Sequence, residues 1–211
     1  MILSEEDARV FTAKRCDDDA MERLEKLTSL LTVENQQQNL VAAATLPHVW
    51  QRHIADSAQL LDHVPRETLQ ADSWLDLGSG GGFPGLVVAA MRPTISVTLV
   101  ESRRLRGEWL LRAARALELP RVVVKAERLE AVPTELATVI SARAFAPLPK
   151  LVALASRFST RDTIWLLPKG RSAAQEVAGL PPAIRQWFHV EQSATDADSG
   201  LVVGRIESPN Q

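Results

Sequence analysis

Residues Trp74–Gly85 read WLDLGSGGGFPG, a turn with five glycines between two apolar runs. So much glycine lets backbone come close to a ligand. Gly80, Gly82 and Gly85 have the G-x-G-x-x-G spacing of a dinucleotide pyrophosphate loop. Two features pull away from a phosphate. Asp76 stands two residues before Gly78, so the stretch also reads D-x-G-x-G-x-G. Pro84 lacks the backbone N–H that a phosphate wants at a helix start. Glu101 ends the next apolar run, about 20 residues on, where a carboxylate can accept from both ribose hydroxyls. These residues point to a nucleoside ligand. They leave open a dinucleotide such as NAD, a nucleoside without pyrophosphate, and a tight turn with no ligand. A side chain placed at Gly80 or Gly82 is expected to fill the ligand's space.

Other residue types invite chemistry and mostly decline it. His53, Asp56 and Ser57 in RHIADS suggest a hydrolytic triad. All three fall on one predicted helix, whereas a triad wedges the base between nucleophile and acid from different elements. A structural His53, hydrogen-bonded against the glycine loop, is the favoured reading. His48, His63 and His189 have no metal-ligand spacing. Cys16 is the only cysteine, which excludes a disulfide framework and a cysteine-based zinc site. Asp17, Asp18 and Asp19 fit the start of a helix, so no metal is expected. Residues 101–128 hold eight Arg or Lys against four Glu. Arg103, Arg104, Arg106, Lys125 and Arg128 can form a basic face for phosphates beside the ligand mouth, or simply a solvated one. Lys169 is a further candidate at that mouth.

Elements must hold these groups in place. The chain has 211 residues, 45% hydrophobic and 24% charged, with a net charge of −2. That is a globular composition, and the balance argues against a general polyanion binder. There is no apolar stretch of membrane-spanning length and no signal peptide, so a cytoplasmic protein is expected. Helical spacing runs through residues 4–31, and Pro47 is expected to open a helix over RHIADS. From Ser73 on, short apolar strands alternate with helices: 74–78, 95–101, 121–125, 136–142 and 162–168 as strands, with helices after Pro84, over 103–118 and around 147–157. Leu105, Trp109, Leu110, Ala113 and Leu117 are expected to face inward. WFHVEQ and LVVGRI close the chain as an antiparallel pair at the sheet edge. The pattern predicts an α/β fold with a mostly parallel, seven-stranded sheet. Ligands bind at the carboxyl ends of such strands. Residues 1–70 read as a helical extension and 71–211 as the ligand-binding domain.

D-x-G-x-G-x-G resembles the first motif of Rossmann-like class I methyltransferases that use S-adenosylmethionine. A more specific resemblance runs through RHIADS (52–57), LDLGSGGGFPGL (75–86), KAE (125–127), SARAFAPL (141–148) and LLPKG (166–170). Together these segments are similar to the bacterial small-subunit ribosomal RNA N7-guanine methyltransferases, the RsmG family, also called glucose-inhibited division protein B. The resemblance implies methyl transfer to N7 of one guanine in the decoding-region hairpin of 16S rRNA, in the small subunit or an assembly intermediate. It implies cofactor contacts at Gly78, Phe83, Ala126, Glu127 and Arg143. Asp76, Ser79, Gly80, Gly82 and Glu101 join them from the loop chemistry. N7 has a lone pair and no proton to lose, so no general base is expected; Arg143 is left a positioning role. Many relatives carry Lys-Arg where this chain has Leu105–Arg106, and Arg where it has Lys125. Nothing in the sequence demands more than a monomer.

Overall fold

The computed structural model describes residues 1–65 and 73–206. Two helices lead, α1 (Glu5–Ala13) and α2 (Asp18–Glu34). Ser4 accepts from the Asp7 N–H at 3.0 Å and Asp17 from the Ala20 N–H at 2.9 Å. Each helix has carboxylates in its first turn, where the helix dipole favours them. The aspartates of this stretch therefore start a helix, as their position predicts.

The single helix expected from Pro47 is four short pieces instead. Ala43–His48 is a 3₁₀ turn with Pro47 inside, Trp50–Ala55 a π turn, α3 (Asp56–Ala58) one α turn, and Gln59–His63 another 3₁₀ turn. The start of the π turn is tied to α1. Glu5 accepts the N–H groups of Trp50 at 3.0 Å and Gln51 at 2.8 Å. The wider turn re-aims Arg52, His53 and Asp56, a common use of π turns beside functional sites.

The strands are β1 (Ser73–Leu77), β2 (Ser96–Val100), β3 (Val122–Lys125), β4 (Val139–Ala142), β5 (Ile164–Gly170), β6 (Phe188–Gln192) and β7 (Gly200–Gly204). They form one seven-stranded sheet in the order β3-β2-β1-β4-β5-β7-β6. β1 to β5 run parallel, and β7 is antiparallel to both β5 and β6. The closing pair is thus antiparallel as expected, with the reversed strand inserted beside β5 and β6 at the edge. The crossovers carry α4 (Gly85–Met91), α5 (Arg104–Ala116) and α6 (Leu148–Ala155); α7 (Ala173–Ala178) and α8 (Pro182–Arg185) precede β6.

Alternation along β1 divides the core. Trp74 faces α2, α4 and α5 with Leu24, Leu27, Leu86, Trp109 and Leu110, while Leu75 and Leu77 face α6 with Leu148 and Leu151. The N-terminal helices share the first of these clusters with the sheet. The boundary expected between residues 70 and 71 lies outside the described residues. Leu105 does not face inward; it is 55% exposed. β2 ends at Val100, so the first turn of α5 lies past the end of the strand it follows, and the Leu105 side chain there stays in solvent. Sequence order reverses between the adjacent strands β1 and β4. The loops after these strands meet at that switch point, where a crevice opens.

Candidate active site

β4 and β1 pair with Asp76 opposite Ser141. Asp76 is fully buried. Its Oδ1 accepts from the Ser141 hydroxyl at 2.7 Å, and its Oδ2 from the Gly85 N–H at 3.3 Å. Ser141 in turn accepts from Trp74 Nε1 at 2.8 Å. Burial pushes the Asp76 carboxyl above its ordinary range, opposed by these bonds and by Arg143 nearby. Asp76 was expected among the ligand contacts, but it is sealed inside and clamps the loop from beneath. The same holds for Ser79, whose buried hydroxyl donates to the Asp76 carbonyl at 3.1 Å.

The loop is tied to β2 by the N–H groups of Gly78 and Ser79, which share the Val100 carbonyl at 2.8 and 3.1 Å. Glu101 then bridges loop and helix: Oε2 accepts from the Gly80 N–H at 3.0 Å, and Oε1 from the Arg103 N–H at 2.8 Å. Each oxygen keeps a lone pair for another donor. Gly78, Glu101, Arg106, Glu127, Ala144 and Phe145 line a cavity of about 230 Å³. Gly78 has φ +69°, and a Cβ there would lie 2.7 Å from Phe145 Cδ2, so only glycine lets that ring lie over the loop.

Other expected ligand residues stand elsewhere. Phe83 is buried behind the loop, stacked on His53 at 4.9 Å, with the Arg143 guanidinium carbon 5.1 Å from its ring centre. Ala126 is exposed and abuts Gly107 of α5. Gly82 meets the protein: its φ is +102°, and a Cβ there would lie 2.4 Å from Leu86 Cδ1. A Cβ on Gly80 has only ordinary contacts, at 3.7 Å. Gly82→Ala is therefore expected to lower the melting temperature well below that of Gly80→Ala, which bears only the cost of positive φ, about 1–2 kcal/mol. Thermal unfolding of the two variants checks this order.

Beyond the Ala144–Phe145 wall lies a second, larger cavity of about 600 Å³. Arg143, the first residue past β4, sits on its floor. Arg143 Nη1 donates to His53 Nδ1 at 3.0 Å and to the Arg52 carbonyl at 3.3 Å, and stands 3.6 Å from Asp56 Oδ2. Asp56 Oδ1 accepts from Gln59 Nε2 and Thr195 Oγ1, each at 2.9 Å. Burial pushes the Asp56 carboxyl up, opposed first by Arg143. Burial likewise lowers Arg143, opposed by Asp56 and Asp76.

His53 Nδ1 accepts a hydrogen bond from Arg143, so its own hydrogen is on Nε2, 2.8 Å from Thr45 Oγ1. Burial, then Arg143 and Arg52, lower its pKa to about 3. His53 is thus a neutral brace between Arg143 and the glycine loop. Ser57 Oγ donates to the His53 carbonyl at 2.6 Å. These three residues form no triad. The depressed pKa has a cost in acid: the unfolded chain takes up a proton that the folded chain refuses, so stability falls as pH drops below the ordinary histidine value. Between about pH 7.5 and about pH 5 this amounts to about 2 kcal/mol. His53→Gln should be spared that loss, which denaturant titrations of both proteins at the two pH values will show.

The expected basic face is narrower than the sequence suggests. Arg103, Arg104 and Arg128 are exposed; Arg103 lines the smaller cavity, Arg104 pairs with Glu108, and Arg128 lines a neighbouring groove and pairs with Glu130 at 3.5 Å. Arg106 lines the cavity itself and donates to the Asn39 carbonyl at 2.9 Å. Lys125 faces a separate small cavity with Thr98 and Leu136, away from the mouth. Lys169 lies within β5, since that strand runs on to Gly170. Its ammonium donates to the Ala146 carbonyl at 2.6 Å and pairs with Glu176 at 3.0 Å, with the side chain 6% exposed. Burial alone would raise Glu176, but Ser172, Lys169 and the Leu148 N–H hold it below the ordinary range. Lys169 and Glu176 brace the 144–148 segment rather than offering a free cation.

Four contributors escaped sequence reasoning. Arg52, Thr195 and Asp196 line the larger cavity, and Lys150 lines a groove of about 390 Å³ with Arg128. Thr195 and Asp196 sit in SATDADSG, which has turn composition and no motif. Among the described residues no group of three or more His, Cys, Asp or Glu side chains is placed to hold a metal ion, and no helix is long and apolar enough to cross a membrane.

The chain matches the profile of the family described as rRNA small subunit methyltransferase G over residues 20–197. Its relatives include Ribosomal RNA small subunit methyltransferase G of Erythrobacter litoralis, 58% identical over 97% of this chain and 98% of that protein. The protein of the same name from Novosphingobium aromaticivorans is 58% identical over 92% of this chain and 84% of its own length. Among solved structures, the ribosomal protein L11 methylase of Lactobacillus delbrueckii subsp. bulgaricus superposes with a TM-score of 0.56 at 14% identity, over 72% of this chain and 77% of that one. A SAM dependent methyltransferase from Aquifex aeolicus gives 0.55 at 13% identity, over 75% and 92%. The sheet is therefore that of a class I methyltransferase. With a clamped glycine loop, a carboxylate after β2 and a second cavity across one shared wall, and with relatives matched along nearly its whole length, the chain belongs to the rRNA small subunit methyltransferase G family.

Proposed function

We propose that the protein transfers a methyl group from S-adenosylmethionine to N7 of one guanine in the decoding-region hairpin of 16S rRNA. The observation that carries this reading is the pair of cavities that share Ala144 and Phe145 at the switch point. One suits a nucleoside and the other a base, and methyl transfer needs the two side by side. Glu101 has lone pairs left for ribose hydroxyls, Gly78 gives the close backbone approach, and Glu127 can bond the adenine edge. Bound there, S-adenosylmethionine supplies a sulfonium methyl that the N7 lone pair takes directly while the C–S electron pair stays on sulfur. The protein's task is alignment and exclusion of water, with no general base and no metal.

A pyrophosphate-bearing cofactor fits poorly. At the start of α4 the Gly85 N–H goes to Asp76, the Leu86 N–H goes to the Gly82 carbonyl at 2.8 Å, and Pro84 has none. The helix dipole therefore offers few free donors to a phosphate.

In the same reading residues 1–70 form an extension to a catalytic domain of residues 71–211. The protein acts as a monomer in the cytoplasm, on the small subunit or an assembly intermediate, and Arg103, Arg104 and Arg128 meet the RNA backbone. The test is transfer of labelled methyl to small subunits and to stripped 16S rRNA from cells lacking this gene, with the modified base mapped by reduction and strand scission. Label at a single guanine supports the assignment; cofactor binding with no labelled RNA refutes the acceptor. Arg104→Glu with Arg128→Glu should lower RNA methylation on the order of tenfold or more, most at low salt, with cofactor affinity unchanged. Equal activity would leave these arginines as solvated surface.

A further inference from the structure

The larger cavity offers hydrogen-bonding groups in an order that a base can match. Its floor runs from the Ala144–Phe145 wall to Arg143 and then to Asp56, 3.6 Å farther on. Among the described residues every hydrogen bond and ion-pair contact of Arg143 runs through Nη1, so Nε and Nη2 have no protein acceptor. Asp56 spends Oδ1 on Gln59 and Thr195, while Oδ2 faces only Arg143, beyond hydrogen-bond distance. Both side chains are largely buried yet open to the cavity, 24% and 18% exposed. The floor thus presents a donor beside an acceptor, starting from the wall nearest the cofactor cavity.

A guanine read outward from N7 shows N7, then the O6 acceptor, then the N1–H and N2–H donors. We propose that Arg143 and Asp56 are the specificity-determining pair of this site. Arg143 donates to O6, Asp56 accepts from N1–H and the 2-amino group, and N7 is left pointing through the Ala144–Phe145 wall toward the methyl. The inference rests on the proposed methyl transfer to guanine. Adenine reverses the pattern: its 6-amino group would meet the guanidinium, and its N1 lone pair would meet the carboxylate. Both mismatches leave buried polar groups unpaired, the situation that gives a site its strongest discrimination. Asp56 has a second effect on the same base. Methylation puts a positive charge on the ring, and a carboxylate against N1–H is placed to stabilise that charge as it forms.

The test compares 16S rRNA carrying guanosine at the target position with the same RNA, assembled by ligation, carrying inosine, which lacks only the 2-amino group. The wild-type enzyme should prefer guanosine by on the order of 10- to 100-fold in kcat/KM. Asp56→Asn should bring that preference close to unity, with the affinity for S-adenosylmethionine, read by calorimetry, unchanged. If Asp56→Asn does not fold, Thr195→Val serves. It keeps the carboxylate but removes the hydroxyl that orients it, and should reduce the preference several-fold. A wild-type enzyme blind to the 2-amino group, or a preference unmoved in the variant that folds, overturns the assignment. Failure of the wild type to methylate guanosine RNA would instead remove the underlying reading of function.

Discussion

Arg143→Met is expected to cut methyl transfer by at least about 100-fold, because one side chain holds both the base-binding carboxylate and the brace behind the glycine loop. Its guanidinium touches His53, the Arg52 carbonyl and Asp56, and lies over Phe83. Methionine fills comparable volume and satisfies none of these groups. Asp56 is left buried without its counter-charge, a kind of loss that costs about 3–5 kcal/mol. The deficit should depend on pH with a definite sign. Burial already holds Asp56 above its ordinary pKa, so protonation favours the folded chain, and this contribution is lost as pH rises. Removing Arg143 strengthens the effect. The variant should therefore be most unstable relative to wild type near about pH 8 and recover part of the gap near about pH 5. Denaturant unfolding at both values tests the sign, and a gap that widens in acid would show that Asp56 is not the group left behind.

Asp76→Ala should be the most damaging change in the glycine loop, although this carboxylate touches no ligand space. The substitution strands the Ser141 hydroxyl and the Gly85 N–H in a fully buried site. Each unpaired buried group costs about 1–3 kcal/mol, so a total of about 3–5 kcal/mol is expected. The loop loses its anchor to β4 and the N-terminus of α4 together. Binding of S-adenosylmethionine should fall on the order of 100-fold even where the protein remains folded, since the loop's shape is what the ligand meets. Asp76→Asn keeps one acceptor oxygen and should fall between. Calorimetric titration and thermal unfolding of the two variants give both readings. Full cofactor affinity in a folded Asp76→Ala protein would show that the clamp does not shape the loop.

The sheet and its order of strands and helices could be read from chain composition because each parallel strand is a short apolar run, and each crossover helix has an apolar stripe. Glu101 could be placed at the mouth because a strand end followed by a helix start fixes where a carboxylate points. Side-chain direction was the part that could not be read. Asp76, Ser79 and Phe83 sit in the motif that marks the ligand loop, yet strand alternation turns Asp76 to the α4 side, and Phe83 packs back onto His53. The π turn at Trp50–Ala55 is invisible to a 3.6-residue period, and it sets the direction of His53 and Arg52. Lys169 looked free because β5 runs past the apolar run that defines it; its partner Glu176 is in another element. Thr195 and Asp196 had no signal at all, since only the folded chain brings a polar hairpin loop against α3.

That last arrangement has a consequence in time. The glycine loop, Glu101, Glu127 and the Ala144–Phe145 wall all come from residues 78–145. The base cavity needs residues 45–59 and 193–201 as well. Thr195 bonds Asp56 across 139 positions, and Ile2 donates to the Ala194 carbonyl at 2.8 Å. Contacts so distant in sequence form last, after the chain between them has folded. During synthesis the cofactor half can take shape while the base half is still missing its far wall. On the proposed reading, a chain still lacking its final hairpin lacks the wall that completes the larger cavity.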